Sequence, residues 1–298
     1  MATRVLLALA FVVGTAAAQP QQKLTIGIYA PSVEFGTAQA RLAYAQGLAK
    51  AIEQSTGIKT EAQSYATLGA LKKDDVDFAI LDGVCYATNL SWRLLANASI
   101  GGSTSRPWAL YSSAGDSMQA LKGKKLAYVA TGCNDSGFVD NAMLESEVDQ
   151  SFWGARTAEK DLTAALASVS SYKTAQAVFA PVGSAKGLTK VFDVAPVPNP
   201  AFVAIATKVA PGVADKVAAA VIGYGGSGAI SGWARPAKDA YQGLAGRLAP
   251  IKKIGLFATP EPVRLTGTDV LADPTTIKDA GSVAVRHHWL RPPGARME

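Results

Sequence analysis

The stretch Val76-Asp77-Phe78-Ala79-Ile80-Leu81-Asp82-Gly83-Val84-Cys85-Tyr86-Ala87 constrains this chain more than any other. It reads as a short buried strand over Phe78 to Leu81, a turn at Asp82-Gly83, and the first turn of a helix. A strand that empties through a Gly turn into a helix leaves free backbone N–H groups and the positive helix end at one edge of a sheet. Open α/β sheets bind ligands along that edge. The pattern returns at Leu126-Ala127-Tyr128-Val129-Ala130, followed by Thr131-Gly132-Cys133-Asn134-Asp135-Ser136-Gly137-Phe138. Two such units predict an α/β fold of two lobes, with two mixed sheets that face one another over a ligand cleft.

The rest of the chain fits that plan. Leu24 to Tyr29 reads as the first strand, ending in a loop that contains Ser32. A helix over 37–54 follows, because Ala38, Leu42, Ala45, Leu48, Ala49 and Ile52 recur at three- and four-residue spacing and Gly57 stops it. A strand over 58–63 and a short helix over 67–72 complete a β-α-β-α-β run that makes this sheet at least partly parallel. Residues 107–112 and 201–206 are strand-like and bracket a second β-α pattern, so they are the expected crossings between lobes. Within that bracket, helices are expected from Gly137 to about Glu147 and over 158–169, and a strand over 175–179. Pro211 stands where a first helical position is expected, and Pro236 repeats the device. Lobe 1 is therefore expected to comprise residues 19–106 and 201–298, with a frayed tail, and lobe 2 residues 107–200.

Residues 1–18 read as a cleavable export signal: Arg4, then an apolar run from Val5 to Val13, then Ala16-Ala17-Ala18. That run is too short for a permanent membrane anchor, so a periplasmic location is expected. With 49% hydrophobic and 17% charged residues, the remainder can bury a sizeable core. The formal charge of +6 is spread along the chain, without the concentrated basic patch and stacking aromatics of a nucleic-acid binder. No Gly-x-Ser-x-Gly elbow, phosphate-cradling loop or His-Glu-x-x-His motif is present, and both histidines fall at 287 and 288. The expectation is a monomeric binding protein without cofactor, not an enzyme.

The order of pieces resembles the periplasmic solute-binding proteins of ABC importers, in the phosphate/phosphite/phosphonate-type branch of the two-lobed class. The resemblance covers residues 23–225. It is carried by Val76 to Leu81 with Tyr86, by Leu121-Lys122-Gly123-Lys124-Lys125 before a strand, by Ser136-Gly137-Phe138 at a helix start, and by Pro198-Asn199-Pro200-Ala201-Phe202-Val203. It implies a type II two-lobed fold, a small-molecule ligand and an ABC permease as membrane partner. A sensor-input module or an enzyme on the same fold is the alternative. Carried over residue by residue, the resemblance points to Tyr86, Ser136 and Gly137 as ligand contacts; Ser32, Asp82, Asn134 and Asp135, in the same loop and turns, complete the expected ligand set. This chain departs from the family at two points. It has Asp82-Gly83 where a Gly-Pro is usual, and Asn134-Asp135-Ser136-Gly137 where a Ser-Thr-Ser-Gly run holds anion oxygens.

Asp82 and Asp135 have two readings: caps on their own helix backbones, or ligand contacts. Facing the cleft, an ionised carboxylate would repel a phosphonate by several kcal/mol at short range, while a helix N-terminus offsets only about 0.3–1 kcal/mol. In that arrangement a fully anionic phosphonate is disfavoured and neutral or cationic ligands are preferred. Tyr86 either contacts ligand or packs at the rim, and Ser136 serves a helix start in either case. Cys85 and Cys133, the only cysteines, occupy equivalent places after their strands. Three outcomes are open for them: a disulfide, a thiolate site for a soft metal, or two separate buried side chains.

Overall fold

The structure, a computed structural model, describes residues 23–148, 150–205, 209–226 and 228–250. The export signal, the tail beyond Pro250 and His287-His288 lie outside the described residues.

The chain begins with β1 (Leu24–Tyr29), α1 (Ala38–Thr56), β2 (Thr60–Ser64), α2 (Leu68–Lys73), β3 (Phe78–Leu81), α3 (Gly83–Ala87) and β4 (Arg93–Ser99). It continues through β5 (Ser105–Ser112), α4 (Met118–Leu121), β6 (Lys125–Val129), a π-helical turn (Gly137–Met143), β7 (Ala155–Glu159), α5 (Leu162–Ser170), β8 (Ala177–Pro181) and β9 (Thr189–Pro198). The return brings β10 (Ala201–Ala204), α6 (Pro211–Ile222), β11 (Gly232–Ala234) and α7 (Asp239–Leu248).

Two mixed sheets result, in the orders β11-β4-β10-β3-β1-β2 and β7-β6-β8-β5-β9. In the first, β1 runs parallel to both β2 and β3, while β10 is antiparallel to β3 and β4. In the second, β6 runs parallel to β7 and β8, and β5 is antiparallel to β8 and β9. Central strands are buried on both faces, as β3 is along its whole length.

Local chemistry sets the helices. Thr37 accepts from the Ala40 N–H at 3.0 Å and opens α1. Gly57, at φ 73°, closes it with its N–H on the Glu53 carbonyl. The apolar stripe Tyr44, Ala45, Leu48, Ala49 and Ile52 packs on the first sheet, and side chains such as Leu48 and Ile52 each contribute about 1.5–3 kcal/mol by burial. Proline at the first position starts α6, whose Val217 and Val221 join the same core.

Three expectations need correction. The expected crossings fall within strands: β5 (105–112) and β10 (201–204) lie inside the two sheets, where their apolar side chains are buried. The connections between sheets are the loops that join β4 to β5 and β9 to β10. The single helix expected over 158–169 divides into the end of β7 and α5, because Asp161 caps Ala164 at 2.8 Å and forces the break. The turn after Ser136 is π-helical and ends at Met143.

The apolar core has three parts. One lies between the first sheet, α1 and α6, and another between the second sheet and α5. The largest runs without interruption from Leu81, Val84 and Tyr86, through Tyr241, Leu244 and Leu248 of α7, to Trp108, Phe138 and Phe179. The lobes therefore share a core at their inner end. No helix among the described residues is long and apolar enough to cross a membrane.

Candidate functional site

The two organising turns lie at this inner end. Asp82 leaves β3 fully buried. Its Oδ1 accepts from the Val84 N–H at 3.0 Å, which caps α3, and its Oδ2 accepts from the N–H and hydroxyl of Ser32. Burial pushes the Asp82 carboxyl above its ordinary pKa, and the donors from Ser32 and Val84 and the charge of Arg106 act against that. Arg106 donates from Nη2 to the Ser32 carbonyl at 3.3 Å and from Nε to Asn199 Oδ1 at 3.0 Å. The loop after β1, the start of α3 and the second interlobe connection are thus one polar cluster.

On the other lobe, Asp135 Oδ1 accepts from the Thr131 N–H at 2.9 Å, the Thr131 hydroxyl at 2.6 Å and the Gly132 N–H at 3.1 Å. Asn134 adopts φ 71° and its Oδ1 accepts from the Gly137 N–H at 3.1 Å. Gly137 is buried, and a Cβ there would come within 2.5 Å of the Leu248 carbonyl oxygen. Ser136 is exposed and caps nothing.

The turns meet directly. The Tyr29 hydroxyl donates to the Thr131 carbonyl at 2.7 Å, and Cys85 is joined to Cys133 by a disulfide with Cα atoms 5.0 Å apart. With each sulfur bonded to the other, the thiolate-metal reading is excluded. No group of three or more potential metal-binding side chains occurs among the described residues.

Tyr86 does not reach a cleft rim: it is fully buried, donates to the Trp92 carbonyl at 3.3 Å, and meets the Tyr241 ring edge-on. Asp82 caps α3, and Asp135 ties down its own loop through Thr131 and Gly132; neither lines the interlobe cavity, so the preference for neutral or cationic ligands loses its premise. None of Ser32, Asp82, Tyr86, Asn134, Asp135, Ser136 or Gly137 lines the interlobe cavity.

That cavity lies further out. It measures about 570 Å³, with Tyr29, Phe35 and Arg41 on the first lobe and Lys160, Asp161 and Tyr172 on the second. The α1 and α5 N-termini both open onto it, and the Leu162 N–H donates to the Pro31 carbonyl at 2.9 Å beside it. Sequence reasoning overlooked Arg41 and Lys160, though both left a signal. Arg41 interrupts the apolar stripe one turn into α1, and Glu159-Lys160-Asp161-Leu162 is a third strand-to-helix turn.

No protein-family model matches the chain, and no curated protein matches its sequence. Solved structures do match. A binding protein component of an ABC phosphonate transporter from Pseudomonas aeruginosa aligns over 74% of this chain and 84% of its own, at 13% identity and a TM-score of 0.59. PhnD1 from Prochlorococcus marinus, in complex with methylphosphonate, aligns over 76% and 98%, at 11% identity and a TM-score of 0.58. A Xanthomonas citri protein bound to ATP aligns over 76% and 96%, at 12% identity and 0.55. The fold is that of the two-lobed periplasmic binding proteins.

Proposed function

We propose that this chain is an exported solute-binding receptor that holds a small molecule between its lobes and presents it, as a monomer, to an ABC permease. The observation that carries this reading is the cavity of about 570 Å³ walled by both lobes, a volume in the range of small-molecule sites. The Cys85–Cys133 disulfide suits an oxidising, extracytoplasmic compartment. Both inner turns already hold a carboxylate, Asp82 on the Val84 N–H and Asp135 on the Thr131 and Gly132 N–H groups, and this favours the outer cavity for the ligand.

Native mass spectrometry of protein purified from its own exporting compartment tests this. A retained small molecule, released on denaturation and chemically unchanged, is the expected result. Conversion of that molecule by the purified protein would overturn the receptor reading in favour of an enzyme.

A further inference from the structure

The charge of the outer cavity is set by two cations that face it from opposite lobes, Arg41 on α1 and Lys160 before α5. The ion pairs among the described residues involve Lys23, Lys59, Arg93, Arg156 and Lys190, and neither Arg41 nor Lys160. Arg41 donates from Nε to Ser64 Oγ at 2.8 Å. That bond orients the guanidinium plane and leaves its two terminal nitrogens as donors. Asp161 is the one carboxylate among the described residues of the wall, and its Oδ1 is held by the Ala164 N–H at 2.8 Å, on its own helix. The positive ends of α1 and α5 add to the same field. Around these groups the wall is apolar, from Val33, Phe35, Ala66 and Ala167, and the Tyr172 ring is 73% exposed at its edge.

We propose that the solute is an organic acid, with its anionic group between Arg41 and Lys160 and an apolar or aromatic body against Phe35 and Tyr172. This rests on the receptor reading and adds the chemical class of the ligand. A carboxylate or phosphonate head satisfies the chemistry, because either accepts from a guanidinium and an ammonium together. A bare inorganic anion would leave the apolar wall without a partner, and a neutral or cationic solute would forgo the charge-assisted bonds that Arg41 and Lys160 can give.

Titration calorimetry on the disulfide-intact protein tests the assignment with the near-isosteric benzoate, benzamide and benzamidine, together with phenylphosphonate and inorganic phosphate. Benzoate or phenylphosphonate should bind, and the comparison between them identifies the preferred head group. Benzamide should bind at least about 10-fold more weakly, the loss of a charge-assisted hydrogen bond, and benzamidine and phosphate more weakly still. Lys160→Gln should weaken the anion about 10- to 100-fold, and Arg41→Lys, which keeps the charge but loses the fork, should fall between it and the parent. Lys160 is exposed, so Lys160→Gln should melt with the parent protein.

Equal binding of benzamide and benzoate, or affinities unmoved by both substitutions, would overturn the proposal, as would the failure of every anion in the series to bind. A neutral or cationic solute found in native mass spectra would overturn the anion assignment and leave the receptor reading standing. The absence of any retained or bound solute would end both.

Discussion

Asp82 carries the inner end of the molecule at the scale of a single side chain. Its carboxylate gathers the Val84 N–H and both donors of Ser32 in a fully buried site. Burial outweighs these partners and raises its pKa from the ordinary 3.8. The folded protein then holds this proton more tightly than the unfolded chain. Between 3.8 and the raised value the folded state binds more protons, so the stability due to this group is present at the acid end and falls as pH rises. Asp82→Asn removes the titration. Urea unfolding of parent and variant from acidic to neutral pH should therefore show the parent's advantage shrinking as pH rises. A growing advantage would mean that the hydrogen bonds to the charged form outweigh desolvation.

At the scale of elements, α3 is too short to be stable alone, because helix nucleation costs more than one turn returns. It is held by its neighbours. A Cβ on Gly83 would lie 2.0 Å from the Pro198 carbonyl oxygen, so the helix start packs directly on the second connection between sheets. On the other side, Tyr86 meets Tyr241 of α7, whose hydroxyl donates to the Asn199 carbonyl at 2.9 Å. Gly83→Ala forces backbone apart from backbone and should cost about 1–3 kcal/mol or more in a denaturant melt. Gly212→Ala, where an added Cβ meets nothing within 4 Å, is the matched control. It should be neutral or stabilising by up to about 1 kcal/mol. Similar losses at both positions would show that the packing at Gly83 is not what matters.

For the whole molecule, the continuous core and the disulfide act together. Separating the lobes at the inner end would break the Cys85–Cys133 bond and expose Tyr241, Leu244 and Leu248. Ligand exchange is therefore expected at the outer cavity, with the inner end shut. The bridge joins residues 48 apart, and closing a loop of that size stabilises by about 4 kcal/mol through the entropy of the unfolded chain. The double variant Cys85→Ser, Cys133→Ser should lose about that much in unfolding free energy, while its affinity for the retained ligand changes only a few-fold. A collapse of affinity with folding intact would show instead that the bridge shapes the cavity.

The sequence by itself determined the parts whose causes are local. The apolar stripe of α1 with Thr37 before it and Gly57 after it, the proline that opens α6, the buried strand β3 and the Asp-Gly turn to α3 were all legible. Each depends on residues within about one helical turn or one pleat of each other. The order of those pieces also carried the two-lobed architecture. The strands β4, β9 and β11 were not legible, because their polar and mixed patterns become strands only through the partners that pair with them. Nor was the site. The cap of Asp82 on Val84 is local, but only the fold brings Ser32, 50 residues away, onto the same carboxylate. Whether β5 and β10 connect sheets or lie within them depended on which edges stood open to pair. Arg41 and Lys160 are more than a hundred residues apart in the chain, and only the packing of one lobe on the other puts both in the wall of a single cavity.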